Sequence, residues 1–247
     1  METQERQMSR ATHEDSRLGR SKFCREISAT RVIVSTLGVL LAVGGMDHGL
    51  FEVLQGNKPT GGLVVHAIGE QNRMWAYGTE DAFTLIPNFL VTGVAAIVVS
   101  VMILVWSVGF VHKKNGSLVF LLFSILLFPV GGGVGQVVLF ALAWAVSTRI
   151  NKPVTWLRVV FPESVRGALA RLWLWLLIVF TLLALIALEI AIAGYVPRVS
   201  DPRLVLHICW SILAVSLGIL LAAFVCGFAH DLDRTDWQDA QMNSARI

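Results

Sequence analysis

Pro129-Val130-Gly131-Gly132-Gly133-Val134-Gly135 falls in the middle of 118–146, a stretch otherwise apolar almost throughout, where a membrane helix would be most regular. How this heptapeptide is read decides the topology. As one continuous helix the stretch would run about 44 Å, against a bilayer hydrocarbon core of roughly 30 Å, so a single straight span fits poorly. Proline removes a backbone donor and clustered glycines favour irregular backbone. The chain is therefore expected to double back as a short hairpin with arms 115–130 and 135–150, each about 24 Å long. Such arms either cross a locally thinned bilayer or dip in and return. A plainer use of Gly131 and Gly135 is a small-xxx-small notch for close helix packing, which accounts for two glycines but not for Pro129 and the triplet.

Outward from this break, composition sets the class. With 55% apolar and only 15% charged residues, a soluble globule could not cover itself with polar surface. Further apolar segments at 32–54, 82–111, 172–196 and 204–229 are each long enough to cross a bilayer as a helix. The expected fold is an all-α, multi-pass integral membrane protein, a helical bundle of about six hydrophobic segments with both termini cytoplasmic, in a plasma or inner membrane. The chain divides into a basic cytoplasmic tail (1–31), a transmembrane domain (32–230) with an outer loop 56–81 and a cytoplasmic loop 149–171, and an acidic cytoplasmic tail (231–247). The first apolar segment follows a long charged stretch and lacks a small-x-small cleavage site, so it reads as a retained helix rather than a signal peptide.

The net charge of +3 does not point to nucleic acid, because the basic residues flank membrane segments instead of forming a stripe. Orientation is their better use. Arg6, Arg10, Arg17, Arg20, Lys22, Arg25 and Arg31 precede the first segment, and Lys58 and Arg73 follow it. Lys113 and Lys114 come after the second, and Arg149, Lys152, Arg158, Arg166 and Arg171 after the glycine break. Counting the hairpin as an even number of crossings places sixteen of the twenty Lys and Arg inside, whereas a five-span chain would divide them eleven to nine. The positive-inside rule prefers the hairpin. Trp106, Trp144, Trp156, Trp173 and Trp175 then fall near the inner interface and Trp75 and Trp210 near the outer, where indole rings anchor.

That topology gathers the unusual polar residues on the outer side. His48, Glu52 and Gln55 share one helical face, and His66 and Glu70 repeat the His-x-x-x-Glu spacing in the loop. Asn88 follows Pro87 at the start of the second segment; Gly132 and Gln136 belong to the turn; Glu189 and His207 lie near the outer ends of the last two segments, each the other's nearest candidate partner by depth. An ionisable group in lipid costs at least about 2.5 kcal/mol, so these positions suggest a polar cavity roofed by 56–81 and floored by the glycine turn. The plainer account is ordinary helix–helix hydrogen bonding. His48, Glu52, His66 and Glu70 together have the chemistry of a four-ligand transition-metal site, while a simple His48 to Glu52 hydrogen bond is the plainer alternative. Glu80 and Asp81 read as acids offsetting the dipole of a helix start.

Cys24, Cys209 and Cys226 are too far apart in topology for a disulfide, and Asp231, Asp233, Asp236 and Asp239 read as a solvated tail. No nucleotide loop or catalytic triad order appears. Three functions follow. One is a carrier or channel-like protein that binds or passes a cation, proton or small polar solute. Another is a membrane-embedded metal-binding or redox enzyme with His/Glu ligands. The third is a structural subunit of a membrane complex, as a homo-oligomer or with partner subunits. The lipid bilayer is the one partner common to all three, and no cofactor identity follows from the residues.

Overall fold

Ser28 caps α1 (Ala29–Leu54), its side chain accepting from the Arg31 amide. The computed structural model describes residues 28–244, with backbone alone at 239–241, 243 and 244. Cys24 and the basic residues before Arg31 lie outside the described residues. After α1 come the short strands β1 (Val64–His66) and β2 (Asp81–Thr84), then α2 (Phe89–Gly109), α3 (Gly116–Leu127), β3 (Val130–Gly133) and α4 (Gln136–Ser147). A single turn, α5 (Leu157–Val160), precedes α6 (Glu163–Ala193) and α7 (Pro202–Ser244). Four of these helices, α1, α2, α6 and α7, are long and apolar enough to cross a membrane; α3 and α4 are shorter apolar helices of 12 residues each.

The chain breaks where the proline and glycines fall. Pro129 leaves the Ile125 carbonyl without its helical donor, and Gly131 adopts φ +106°, a conformation from which side chains are excluded. The freed backbone is used as a strand rather than a loop. β3 pairs antiparallel with β2 (Ala82 opposite Gly133, Thr84 opposite Val130), and β2 pairs with β1 (Val64 opposite Phe83, His66 opposite Asp81). The Pro129 carbonyl accepts from the Leu85 amide at 2.8 Å, and the Asp81 carbonyl from Val134 at 3.0 Å. The tip's backbone groups are thus satisfied by the loop that lies over it, as irregular backbone near a membrane requires.

The mostly helical architecture fits the expected all-α membrane protein, with one unexpected addition, a small three-stranded sheet. Several expectations are corrected. The second apolar segment does not start its helix at 82: residues 81–84 are strand, and Asn88 caps α2 by accepting from the Val91 amide. Glu80 and Asp81 consequently offset no helix dipole. α6 begins at Glu163, well before 172. The acidic segment from 231 continues α7 to Ser244, and Asp231 is buried, not solvated.

α1 packs on α2 through small residues at heptad spacing. Gly38 faces the Ser107 side chain, Gly45 faces Ser100, and Gly49 meets Gly93 so closely that a Cβ on Gly49 would lie 2.7 Å from the Gly93 carbonyl oxygen. On its other flank α1 receives the hairpin: Phe120 packs at Gly38, Leu127 at Gly45, and Gly131 against the Glu52 side chain. Two ends of the bundle result. One gathers the C-terminus of α1, the sheet, and the end of α6, where Trp75 Nε1 donates to the Ala191 carbonyl at 2.9 Å. The opposite end joins the start of α1 to α7: the Asp231 carboxylate accepts from Ser28 Oγ and from the Ala29 and Thr30 amides at 2.7–3.0 Å.

Candidate functional site

Glu52 is the most deeply buried ionisable side chain near the sheet. It is completely inaccessible, and neither carboxylate oxygen has a hydrogen-bond partner. Its position follows from local structure. It lies two residues before the end of α1, on the face that meets β3, and the Gly131 backbone presses on its carboxyl group so that a Cβ there would lie 2.8 Å from Oε1 and closer still to Oε2. One turn earlier His48 occupies the same face, next to Gly133. Only glycines leave room at both places.

His48 Nε2 pairs with Glu80 Oε2 at 2.8 Å, while His48 Nδ1 is buried without a partner. Because an ionised carboxylate can only accept, the pairing places a proton on Nε2 and leaves Nδ1 a buried ring nitrogen with no partner. Exposure falls along the series: the Glu80 side chain is 19% exposed, that of His48 7%, and Glu52 0%. The gradient leads from the wet surface to a buried acid. Glu80 itself is held at φ +43°, a strained conformation for a side-chain-bearing residue and one that clusters at functional sites.

Asp47 is half-buried within electrostatic reach of both Glu80 and His48. Among the described residues no Lys or Arg forms an ion pair with Asp47, Glu52 or Glu80. Three acids against one imidazole leave the cluster short of positive charge. An unpartnered carboxylate in such surroundings is costly unless it receives a proton or a cation. Gln136 completes the surroundings, its amide packed against Gly44 and Gly133 and its Oε1 buried without a donor.

Below the cluster the seam between α1 and α2 holds the Ser100 and Ser107 hydroxyls, buried and with neither Oγ hydrogen bonded. They are seven residues apart, about 10 Å along the helix, too far to pass a proton directly. Hydrogen bonding therefore leads from the sheet end as far as His48; its Nδ1 and the Glu52 carboxyl one turn on are not bonded to each other, and a second break lies between the two serines.

The structure brings together His48, Glu52, Gln136 and the glycine turn from the expected set. Gln55 is adjacent but serves the loop, its Nε2 donating to the His66 and Ala67 carbonyls at 3.0 and 2.7 Å. Asn88 caps α2 and donates to Asn57 Oδ1 at 2.6 Å. Gly132 packs on the Leu127 carbonyl and faces no polar side chain. Glu70, Glu189 and His207 are exposed, and among the described residues no hydrogen bond or ion pair joins Glu189 to His207. These two are not part of the cluster, because both point away from the bundle interior. The open cavity is corrected to a closed polar cluster, since His48 and Glu52 are sealed by the sheet.

The four-ligand metal site is also corrected. His66 is 61% exposed and paired with Asp81 at 2.8 Å, Glu70 is exposed, and His48 is turned to Glu80 instead. Among the described residues no three His, Cys, Asp or Glu side chains converge as metal ligands would. Glu80 and Asp47 are the members that sequence reasoning missed. Glu80 carries no motif, and the one usable signal was Asn88: a helix capped there leaves 80–84 outside it. The chain matches no protein-family model, and neither a curated protein nor a solved structure is significantly similar to it.

Proposed function

We propose that this membrane protein binds a proton at Glu52, taken from water at the sheet end through Glu80 and His48, and acts as a proton-responsive carrier rather than an open channel. The observation that carries the reading is the buried, donor-less Glu52 carboxyl at the end of a series of acid, imidazole and acid that becomes steadily drier. A carboxylic acid is the natural resting form of such a group, and an imidazole one helical turn away, paired with a carboxylate on its wetter side, is suited to hand a proton inward. The unbonded Glu52 carboxyl and the separated Ser100 and Ser107 hydroxyls favour a carrier, because a proton leaving toward the other end needs a rearranged state.

In this reading the hairpin crosses the bilayer twice. Each helical arm of 12 residues contributes about 18 Å, shorter than a hydrocarbon core of roughly 30 Å, so the two crossings are made through a locally thinned bilayer. Six crossings with both ends cytoplasmic then satisfy the charge bias.

The test combines two measurements on purified protein. Infrared difference spectra between acid and alkaline buffer are expected to contain a protonated-carboxyl band that Glu52→Gln removes. Proteoliposomes with an internal pH dye should take up protons in response to an imposed gradient, at least about tenfold more slowly after Glu52→Gln or His48→Ala. A wild-type protein with neither the band nor the uptake, or a Glu52→Gln variant that retains both, would overturn the reading.

A further inference from the structure

At the end of the bundle away from Glu52, a cleft of about 760 Å³ runs along the outward stripe of α1 between α2 and α6. We propose that it holds one anionic phospholipid from the surrounding leaflet, with the phosphate at Arg31 and an acyl chain laid along Val32, Val39, Leu40 and Val43. The volume is of the size that holds small ligands. From Ser28 to Val43 the stripe extends about 22 Å, enough for an acyl chain to follow it through one leaflet of a core roughly 30 Å thick.

The cleft has a polar end and an apolar body. Thr36 makes no hydrogen bond among the described residues, whereas two other hydroxyls along the body are already used: Ser35 Oγ donates to the Ser107 carbonyl at 2.7 Å and Thr181 Oγ1 to the Leu177 carbonyl at 2.8 Å. They offer the cleft carbon rather than donors. Ionisable lining residues occur at one end only, where Arg31, His112 and Arg234 meet. The nearest acid, Asp231, is committed to Ser28, Ala29 and Thr30, and among the described residues Arg31 forms no ion pair. Burial, then the Arg31 and Lys113 charges, hold the His112 imidazole below its ordinary pKa, so arginine carries the positive charge of this end. Guanidinium against phosphate, above a mostly apolar cleft, fits an anionic phospholipid and not a zwitterionic one, whose own ammonium would compete. The proposal is independent of Glu52.

Native mass spectrometry of the full chain, titrated with dioleoyl phosphatidylglycerol or dioleoyl phosphatidylcholine, tests it. One phosphatidylglycerol is expected to bind at least tenfold more tightly than phosphatidylcholine. Arg31→Gln should bring the two lipids to equal affinity, and Val39→Trp, which fills the slot without changing charge, should remove the retained lipid. Equal affinity in the wild type, or wild-type preference in Arg31→Gln, overturns the proposal. So does displacement of the lipid by inorganic phosphate alone, which would mark a site for a free anion. If thermal melting shows Val39→Trp to be unfolded, Leu185→Trp on the opposite wall replaces it with the same expectation.

Discussion

Two glycines of the turn are held to a single atom's width for different reasons, and this separates strain from crowding. Gly131 has φ +106° and lies on Glu52, whereas Gly133 has an ordinary φ and is limited by the His48 ring, whose Nε2 and Cε1 lie 2.6 and 2.8 Å from where its Cβ would be. Alanine at 133 is expected to destabilise by about 1–3 kcal/mol through overpacking, and His48→Ala should recover most of that loss. Alanine at 131 carries the same crowding plus about 1–2 kcal/mol of backbone strain, so Glu52→Ala should recover only part. Unfolding of the four single and two double variants in mixed micelles measures both cycles; equal recovery at the two positions would contradict the assignment. The i, i+4 relation of His48 and Glu52 was readable in advance because it depends on helix geometry alone. Glu80 was not, since its place beside His48 depends on a turn at φ +43° and on strand pairing across the roof.

Elements were legible in proportion to how local their causes are. Pro129 with three glycines marked the hairpin break, whereas the caps Ser28 and Asn88, though of standard helix-start chemistry, were overridden by the apolar runs from 32 and 82. The sheet was hidden because Val130-Gly131-Gly132-Gly133 has almost no side chains to show a strand pattern; its pairing is made by backbone groups alone. The continuation of α7 was hidden for the opposite reason. Its charged residues read as a tail, yet Asp231 finds Ser28, 203 positions earlier in the chain, and fastens the start of α1 to α7. Asp231→Ala removes the acceptor for the Ser28 hydroxyl and for two backbone amides of a helix start, and also the partner of the His230 ring at 3.4 Å. A loss of about 1–3 kcal/mol is expected, larger than the roughly 1 kcal/mol of Ser28→Ala, which removes one hydroxyl. Thermal melting in detergent ranks the two; if Ser28→Ala proved the more damaging, the carboxylate would not be the fastening group.

At the scale of the whole molecule, the charge count and the packing bear on the same question from independent directions. The count assigns the loops on both flanks of the hairpin to one side of the membrane. The structure brings those flanks to one end of the bundle, with Trp106 Nε1 donating to Gly116 at the hairpin's start and with Arg31, His112 and Asn151 around one cleft mouth. Lys113 and Lys152, both exposed, bracket the hairpin, and the exposed Lys58 lies in the segment leading to the sheet. Single cysteines at these three positions, in a chain whose Cys24, Cys209 and Cys226 are replaced by alanine, should react with a membrane-impermeant maleimide in two classes. Lys58→Cys should label in intact cells, while Lys113→Cys and Lys152→Cys should label only after the membrane is opened. If Lys113→Cys and Lys152→Cys fell in different classes, the hairpin would have to cross once. Its tip would then no longer belong with the loop that roofs Glu52, and proton entry from the outer side would lose its path. If all three behaved as expected but with the sides exchanged, the fold and the relay would stand, and Glu52 would draw its proton from the cytoplasm.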